Sequence, residues 1–264
     1  MASQSLTISL IQSSLVWEDA EANRAQFEEK IAGITENTEL IVLPEMFTTG
    51  FSMNPEILAE PMEGATAAWM RRVSQKKRAV ITGSVIIKEN GKYYNRLIWM
   101  LPNGEMGYYD KRHLFSYADE HNHYAPGEKK LTGSLKGWKI NLQVCYDLRF
   151  PVWNRQPPEK ENRYDILINV ASWPDKRSSM WRTLLTARAI ENQCFVIGVN
   201  RVGTDGNGHG YAGDSLIIDP LGNVIQDLGS EEKISTYTFH KEDLEQVRAH
   251  FPFLDDADKF LILT

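Results

Sequence analysis

The chain has 264 residues, 42% hydrophobic, 10% aromatic and 24% charged, an ordinary globular composition that excludes a disordered, collagenous or low-complexity protein. Its 29 Lys and Arg against 35 Asp and Glu leave a net charge of −6, and no basic cluster exceeds Lys76-Lys77-Arg78, so neither nucleic acid nor membrane is an expected partner. The two cysteines, Cys145 and Cys194, lie in apolar strand-like runs rather than in disulfide-stapled loops, the first residues carry no basic leader, and no apolar run approaches the roughly 18 residues of a membrane helix. A cytoplasmic location is the expectation.

In chain order, Leu6–Leu15 reads as a strand, and Asp19 then caps a helix that places Phe27, Ile31 and Ile34 on one face. Leu40–Leu43 is a short apolar strand ended by Pro44, and a second amphipathic helix follows with Thr66, Trp69, Met70 and Val73 on its stripe. From Val80 to Leu114 the pattern changes to strands joined at Asn90-Gly91 and Asn103-Gly104, dipeptides suited to the positive φ angles of tight hairpins. The second half predicts strands over Trp138–Cys145, Ile166–Ala171 and Cys194–Val199, with a helix from about Ser179 to Gln193 before the last of these. A hairpin around Asp219-Pro220-Leu221-Gly222 and a short helix over Lys241–His250 complete the series, while Gln156–Arg163 reads as a loop too short to divide domains. The expectation is one mixed α/β domain with helices covering two sheets.

Three apolar strands run into reactive side chains, and strand ends are where α/β folds assemble sites. Glu45 follows Leu43-Pro44, Lys111 follows Tyr108-Tyr109-Asp110, and Cys145 follows Leu142-Gln143-Val144. Taken singly, each has an ordinary reading: a solvated carboxylate, a surface lysine and a small core hydrophobe. Cys145 is set apart because polar residues and a turn follow it, whereas Cys194 continues into Phe195-Val196-Ile197 and reads as packing. His121-Asn122-His123 lacks a third ligand at zinc spacing, and the run Gly203–Gly210 matches neither a Walker loop nor a dinucleotide fingerprint, reading instead as a flexible loop near a site.

Together the three segments resemble the nitrilase superfamily of carbon–nitrogen hydrolases, in which a Glu-Lys-Cys set occurs in this chain order. The matching segments are Leu43-Pro44-Glu45, Asp110-Lys111-Arg112-His113-Leu114-Phe115 and Val144-Cys145-Tyr146-Asp147-Leu148-Arg149-Phe150-Pro151. Arg188-Ala189-Ile190-Glu191-Asn192, Gly213-Asp214-Ser215 and Asp219-Pro220-Leu221-Gly222 add to them, extending the similarity from about Leu6 to Phe239. The segment after the cysteine looks most like the omega-amidase branch.

The resemblance implies a four-layer αββα sandwich with two mixed sheets, a hydrolase domain over residues 1–240, and a C-terminal helix and tail over 241–264 packing on a homodimer interface. It implies Glu45, Lys111 and Cys145 as catalytic residues, with Glu120 as a second carboxylate near the lysine and Asp119 or Glu128 as alternatives for that role. The Tyr146 backbone N–H is expected in the oxyanion site and Trp173 at the pocket rim, where core packing is its other reading. No metal or organic cofactor is required, and the implied activity is hydrolysis of the terminal amide of 2-oxoglutaramate or 2-oxosuccinamate. A nitrilase, an N-carbamoyl amidohydrolase, or a weakly active member serving as a binding partner stay open beside it. Arg149, Arg177 and Arg182 lie near the candidate loops as possible receptors for a substrate carboxylate, and the apolar tail residues Phe251, Phe253, Phe260, Leu261 and Ile262 are expected to be buried.

Overall fold

The computed structural model describes residues 4–262; the first three residues, read above as part of a chain start without a leader, and the last two of the tail lie outside them. The chain begins with β1 (Ser5–Gln12), α1 (Ala20–Ala32), β2 (Leu40–Val42), the single-turn α2 (Pro55–Leu58) and α3 (Ala65–Lys77). The hairpin strands β3 (Val80–Glu89), β4 (Lys92–Met100) and β5 (Met106–Asp110) lead to α4 (Glu120–His123), β6 (Thr132–Leu135) and β7 (Trp138–Val144). Then come α5 (Pro151–Asn154), β8 (Ile166–Ala171), α6 (Ser178–Asn192), β9 (Phe195–Asn200), β10 (Val202–Thr204) and β11 (Gly210–Ala212). The chain closes with β12 (Leu216–Ile218), β13 (Val224–Asp227), β14 (Lys233–His240) and α7 (Lys241–His250).

Two six-stranded mixed sheets result, in the orders β14-β1-β2-β3-β4-β5 and β13-β12-β9-β8-β7-β6. Each has three neighbouring parallel strands, β1-β2-β3 in one and β7-β8-β9 in the other, flanked by antiparallel strands. Alternation along the strands decides the layers. Leu6, Ile8 and Leu10 of β1 face Ile140, Leu142 and Val144 of β7 in the core between the sheets, while Ile11, Ile41 and Ile81 turn outward onto Phe27 and Ile31 of α1 and Met70 and Val73 of α3. On the far side Leu167, Val196 and Leu216 pack on Trp181, Leu185 and Ala189 of α6. The order helix, sheet, sheet, helix is the expected four-layer sandwich.

Several boundaries differ from the sequence reading, and β6, β10, β11 and β14 are strands it does not contain. β1 stops at Gln12, whose buried side chain leaves the ladder to donate to the Gly229 and Glu231 carbonyls, both at 2.8 Å. The Gly203–Gly210 segment is a hairpin of β10 and β11, held by the buried Asp205 carboxylate, which accepts the Asn207 and His209 N–H groups and the Tyr211 hydroxyl. β14 pairs antiparallel with β1 along its whole length, and its Thr- and Ser-rich pattern hides it from a hydrophobic count. The tail is only partly covered in the single chain. Leu254 is buried, but Phe253 is 63% exposed and Leu261 90%, with Phe251, Phe260 and Ile262 also exposed, because in a single chain no layer covers them.

β14 carries Phe239 into the intersheet core, edge-on to Phe195 with centroids 5.0 Å apart and near Trp138 at 6.4 Å. Phe239→Ala would empty a site with no exposed surface. We expect a stability loss of about 3–5 kcal/mol in urea denaturation; a loss under about 1 kcal/mol would show that this aromatic cluster does not hold β14 on the sandwich.

Candidate active site

The carboxyl ends of parallel strands from both sheets converge at one place, where α/β folds offer backbone and side chains free of ladder pairing. Pro44 ends β2, and Met46 then turns the chain with a φ of 42°. Ser84 fixes this turn: its hydroxyl accepts the Met46 N–H at 2.8 Å and its carbonyl the Phe47 N–H at 3.1 Å. Glu45 is thereby held without exposed surface. Lys111 extends the β4–β5 ladder by one residue, donating its N–H to the Asn95 carbonyl at 3.0 Å and accepting from Gly127 at 2.9 Å. A Cβ at Gly127 would lie 2.0 Å from the Asp110 carbonyl oxygen, so the close approach that fixes Lys111 requires glycine there.

The Lys111 ammonium donates to Glu45 Oε1 at 2.9 Å and to Glu120 Oε1 and Oε2 at 3.0 and 2.9 Å. All three side chains are buried. Asn95 Nδ2 donates to Glu45 Oε1 at 2.8 Å and lies 3.4 Å from Glu120 Oε1, while Ser172 and Phe115 give backbone N–H groups to Glu45 Oε2 (2.8 Å) and Glu120 Oε2 (2.5 Å). Burial works against the ammonium, but the Glu120 and Glu45 carboxylates outweigh it and hold Lys111 above the ordinary lysine range. For Glu120, burial and the neighbouring Glu45 prevail over Lys111 and raise its pKa. Asp119 and Glu128 are exposed, and of the three acids considered for this place Glu120 is the one bonded to Lys111.

Cys145 begins a 3-10 turn, Cys145–Arg149, with a φ of 43°, a left-handed conformation that costs a non-glycine residue about 1–3 kcal/mol unless its surroundings impose it. Asp147 imposes it. Its buried carboxylate accepts the Val144 N–H at 3.1 Å, the His113 N–H at 2.9 Å and the Tyr109 hydroxyl at 2.7 Å, which joins the cysteine turn to the loop carrying Lys111. Arg188 of α6 supports the turn from behind, donating twice to the Leu148 carbonyl at 2.6 and 3.2 Å. Burial pushes the Cys145 thiol well above its usual pKa, and the facing Glu45 carboxylate pushes it further, with Lys111 pulling the other way. The resting sulfur is therefore a thiol with a carboxylate at hand.

Cys145 and Lys111 line a cavity of about 530 Å³ with Phe51, Phe115, Tyr146 and Trp173 among its walls. Trp173 is nearly buried, with its indole N–H on the Arg177 carbonyl at 2.8 Å, so it is both wall and core. The β10–β11 hairpin supplies Thr204, His209 and Tyr211 to the same cavity. Cys194 is fully buried in the core beneath α6 and is not among the residues that line this cavity. Arg182 is engaged by Asp214 at 3.1 Å and Asp227 at 2.6 Å. Among the described residues no group of three or more His, Cys, Asp or Glu could hold a metal ion.

Asn95, Asp147 and Ser172 were not singled out from the sequence. Asn95 had a readable signal, since strand alternation puts it on the face of Leu97 and Trp99, where a polar residue interrupts an apolar stripe. Asp147 and Ser172 had none, because Tyr109 and His113, which Asp147 joins to its own turn, and Glu45, the partner of Ser172, are distant in sequence.

Residues 7–249 match the carbon–nitrogen hydrolase family model, and the chain belongs to that family as a hydrolase acting on carbon–nitrogen bonds. It is 44% identical over 260 residues to the omega-amidase YafV of Yersinia enterocolitica, covering 98% of this chain and 99% of that protein. It is 34% identical to the 2-oxoglutaramate amidase of Bacillus subtilis, covering 97% and 98%. The crystal structure of XC1258 from Xanthomonas campestris, a CN-hydrolase superfamily protein with an arsenic adduct in its active site, superposes with a TM-score of 0.96 at 45% identity over 98% of this chain and 99% of that one.

The pKa of Cys145 tests this geometry directly. Glu45→Gln removes a negative charge that opposes the thiolate while leaving Lys111 in place, so the thiol pKa should fall, read as thiolate absorbance near 240 nm across a pH titration with Cys194 replaced by Ala. An unchanged or higher value would mean that Glu45 does not govern the sulfur.

Proposed function

We propose that Glu45, Lys111, Cys145 and Glu120 hydrolyse the terminal amide of small 2-oxo dicarboxylic acid monoamides, 2-oxoglutaramate and 2-oxosuccinamate, to the acid and ammonia. The observation that carries this reading is the single buried ammonium shared by two carboxylates, one of which also faces the cysteine. Glu45 takes the thiol proton as sulfur attacks the amide carbon, and the new oxyanion is stabilised by Lys111 and the Tyr146 N–H. Glu45 then passes its proton to the leaving nitrogen, ammonia departs and a thioester remains. Water, deprotonated by Glu45, attacks the thioester and releases the acid and the thiol. Glu120 keeps Lys111 charged and in place, and Trp173 forms the rim against which the substrate lies. The names of the omega-amidase and 2-oxoglutaramate amidase relatives favour this substrate class over nitriles and carbamoyl amino acids.

A cytoplasmic location and a homodimer belong to the same proposal. No helix among the described residues is long and apolar enough to cross a membrane. Val152 on α5, Met180 and Ile190 on α6 and Phe253 in the tail are exposed apolar side chains, a surface that a second copy would cover, with residues 241–264 contributing beside the hydrolase domain of 1–240. Deletion after Arg248 should give monomer or aggregate in sedimentation, and an unchanged, active dimer would remove the tail from the interface.

Kinetics test the chemistry. Cys145→Ala should abolish ammonia release with the fold intact, while Cys194→Ala should cost only about 1 kcal/mol of packing. Glu120→Gln should lower kcat at least about a hundredfold, roughly 2.7 kcal/mol of transition-state stabilisation. 2-Oxoglutaramate should exceed glutamine in kcat/KM, since glutamine's ammonium must be desolvated where a neutral keto group belongs. Equal values, or a preference for aliphatic nitriles, would reject the substrate assignment.

A further inference from the structure

Two guanidinium groups stand in the wall of the Cys145 cavity without an acidic partner. Arg149 and Arg177 both line it and are partly buried, and among the described residues neither forms an ion pair. Arg149 lies over the Trp173 ring at 4.8 Å with Nη2 on the Met180 sulfur at 3.4 Å, while Arg177 lies over the Phe115 ring at 5.3 Å. Trp173 joins them, one face under Arg149 and its indole N–H on the Arg177 carbonyl. Each guanidinium thus lies over an aromatic ring while its N–H groups have no acidic acceptor among the described residues. Arg96, by contrast, is buried against two acids, Asp110 and Glu89. The acid on this wall, Asp175, is turned to other partners: Oδ1 accepts the Lys176 N–H at 2.6 Å, and Oδ2 lies against Gly210 of the β10–β11 hairpin.

We infer that Arg177 and Arg149 form a carboxylate-binding subsite that receives the end of the substrate remote from the amide. A planar carboxylate satisfies a guanidinium fork with two charge-assisted bonds, which a neutral end group cannot do. The subsite therefore selects amides that carry an anion at the far end. Arg182, already held by Asp214 and Asp227, takes no part. This inference rests on the amidase reading above and specifies what that reading leaves open, the group that recognises the second acid.

The test compares 2-oxoglutaramate with 4-oxopentanamide, in which a methyl group replaces the carboxylate. The measured quantity is the ratio of their kcat/KM values, from ammonia release by the full-length protein. Wild type should favour the anionic amide at least about tenfold, and Arg177→Gln and Arg149→Gln should each lower that ratio about ten- to a hundredfold, mainly through KM for the anionic amide. Arg177→Lys should restore part of the ratio, and Lys176→Gln, an exposed cation at the same mouth, should leave it within about twofold. Glutarate should inhibit wild type competitively and the arginine variants less. Equal losses on both amides would reduce the arginines to wall residues, and a collapse of the ratio in Lys176→Gln would move the anion site; either overturns the inference while amide hydrolysis stands. Equal rates on the two amides in wild type would likewise overturn it alone, whereas no ammonia from either would overturn the amidase reading with it.

Discussion

A buried ammonium is costly unless its charge and all its protons are met, and the arrangement around Lys111 meets both. Two carboxylates take its three protons, and the groups that hold those carboxylates come from β4, from the loop after β5 and from the end of β8. Removing any one of them leaves a buried charge or an orphaned acceptor. The two sheets are therefore locked at their strand ends by a polar knot as well as by the apolar face between them.

That knot explains how one carboxylate can face both a cation and a thiol. Lys111 is hydrogen-bonded to Glu45, and burial together with the Glu45 carboxylate beside it raises the Cys145 thiol, so the resting sulfur keeps its proton. The left-handed turn at Cys145 places the sulfur off the end of β7 and into the cavity, and Asp147 keeps it there by tying the turn to His113 and Tyr109.

The layers were legible because amphipathic helices and continuous apolar strands have distinct periods: Phe27 and Ile31, or Thr66 through Val73, announce a covered face wherever they occur. The Glu45, Lys111 and Cys145 segments were legible as strand ends, and their order pointed to a family. Nothing local brought them together. Glu120 lies in an acidic, His-rich stretch where the resemblance pointed to it but left Asp119 and Glu128 as alternatives, and the folded chain puts the Glu120 carboxylate on Lys111. β14 was missed because it alternates Ser and Thr with Ile, Tyr and Phe at a sheet edge, where half-exposed hydroxyls such as Thr236 and Thr238 pair with Ser9 and Thr7. For the tail, a count of aromatic residues signals burial but does not say by what.

The pairing of β1 with β14 joins residues 5–12 to residues 233–240. During synthesis β1 can settle on β2 once the first 42 residues are out, yet its other edge stays open until nearly the whole polypeptide has emerged. An apolar strand with unpaired N–H and C=O groups is a template for wrong partners. The last strand thus acts as the closing seam of the first sheet, and chains cut short before residue 233 should be prone to aggregate through the exposed edge of β1.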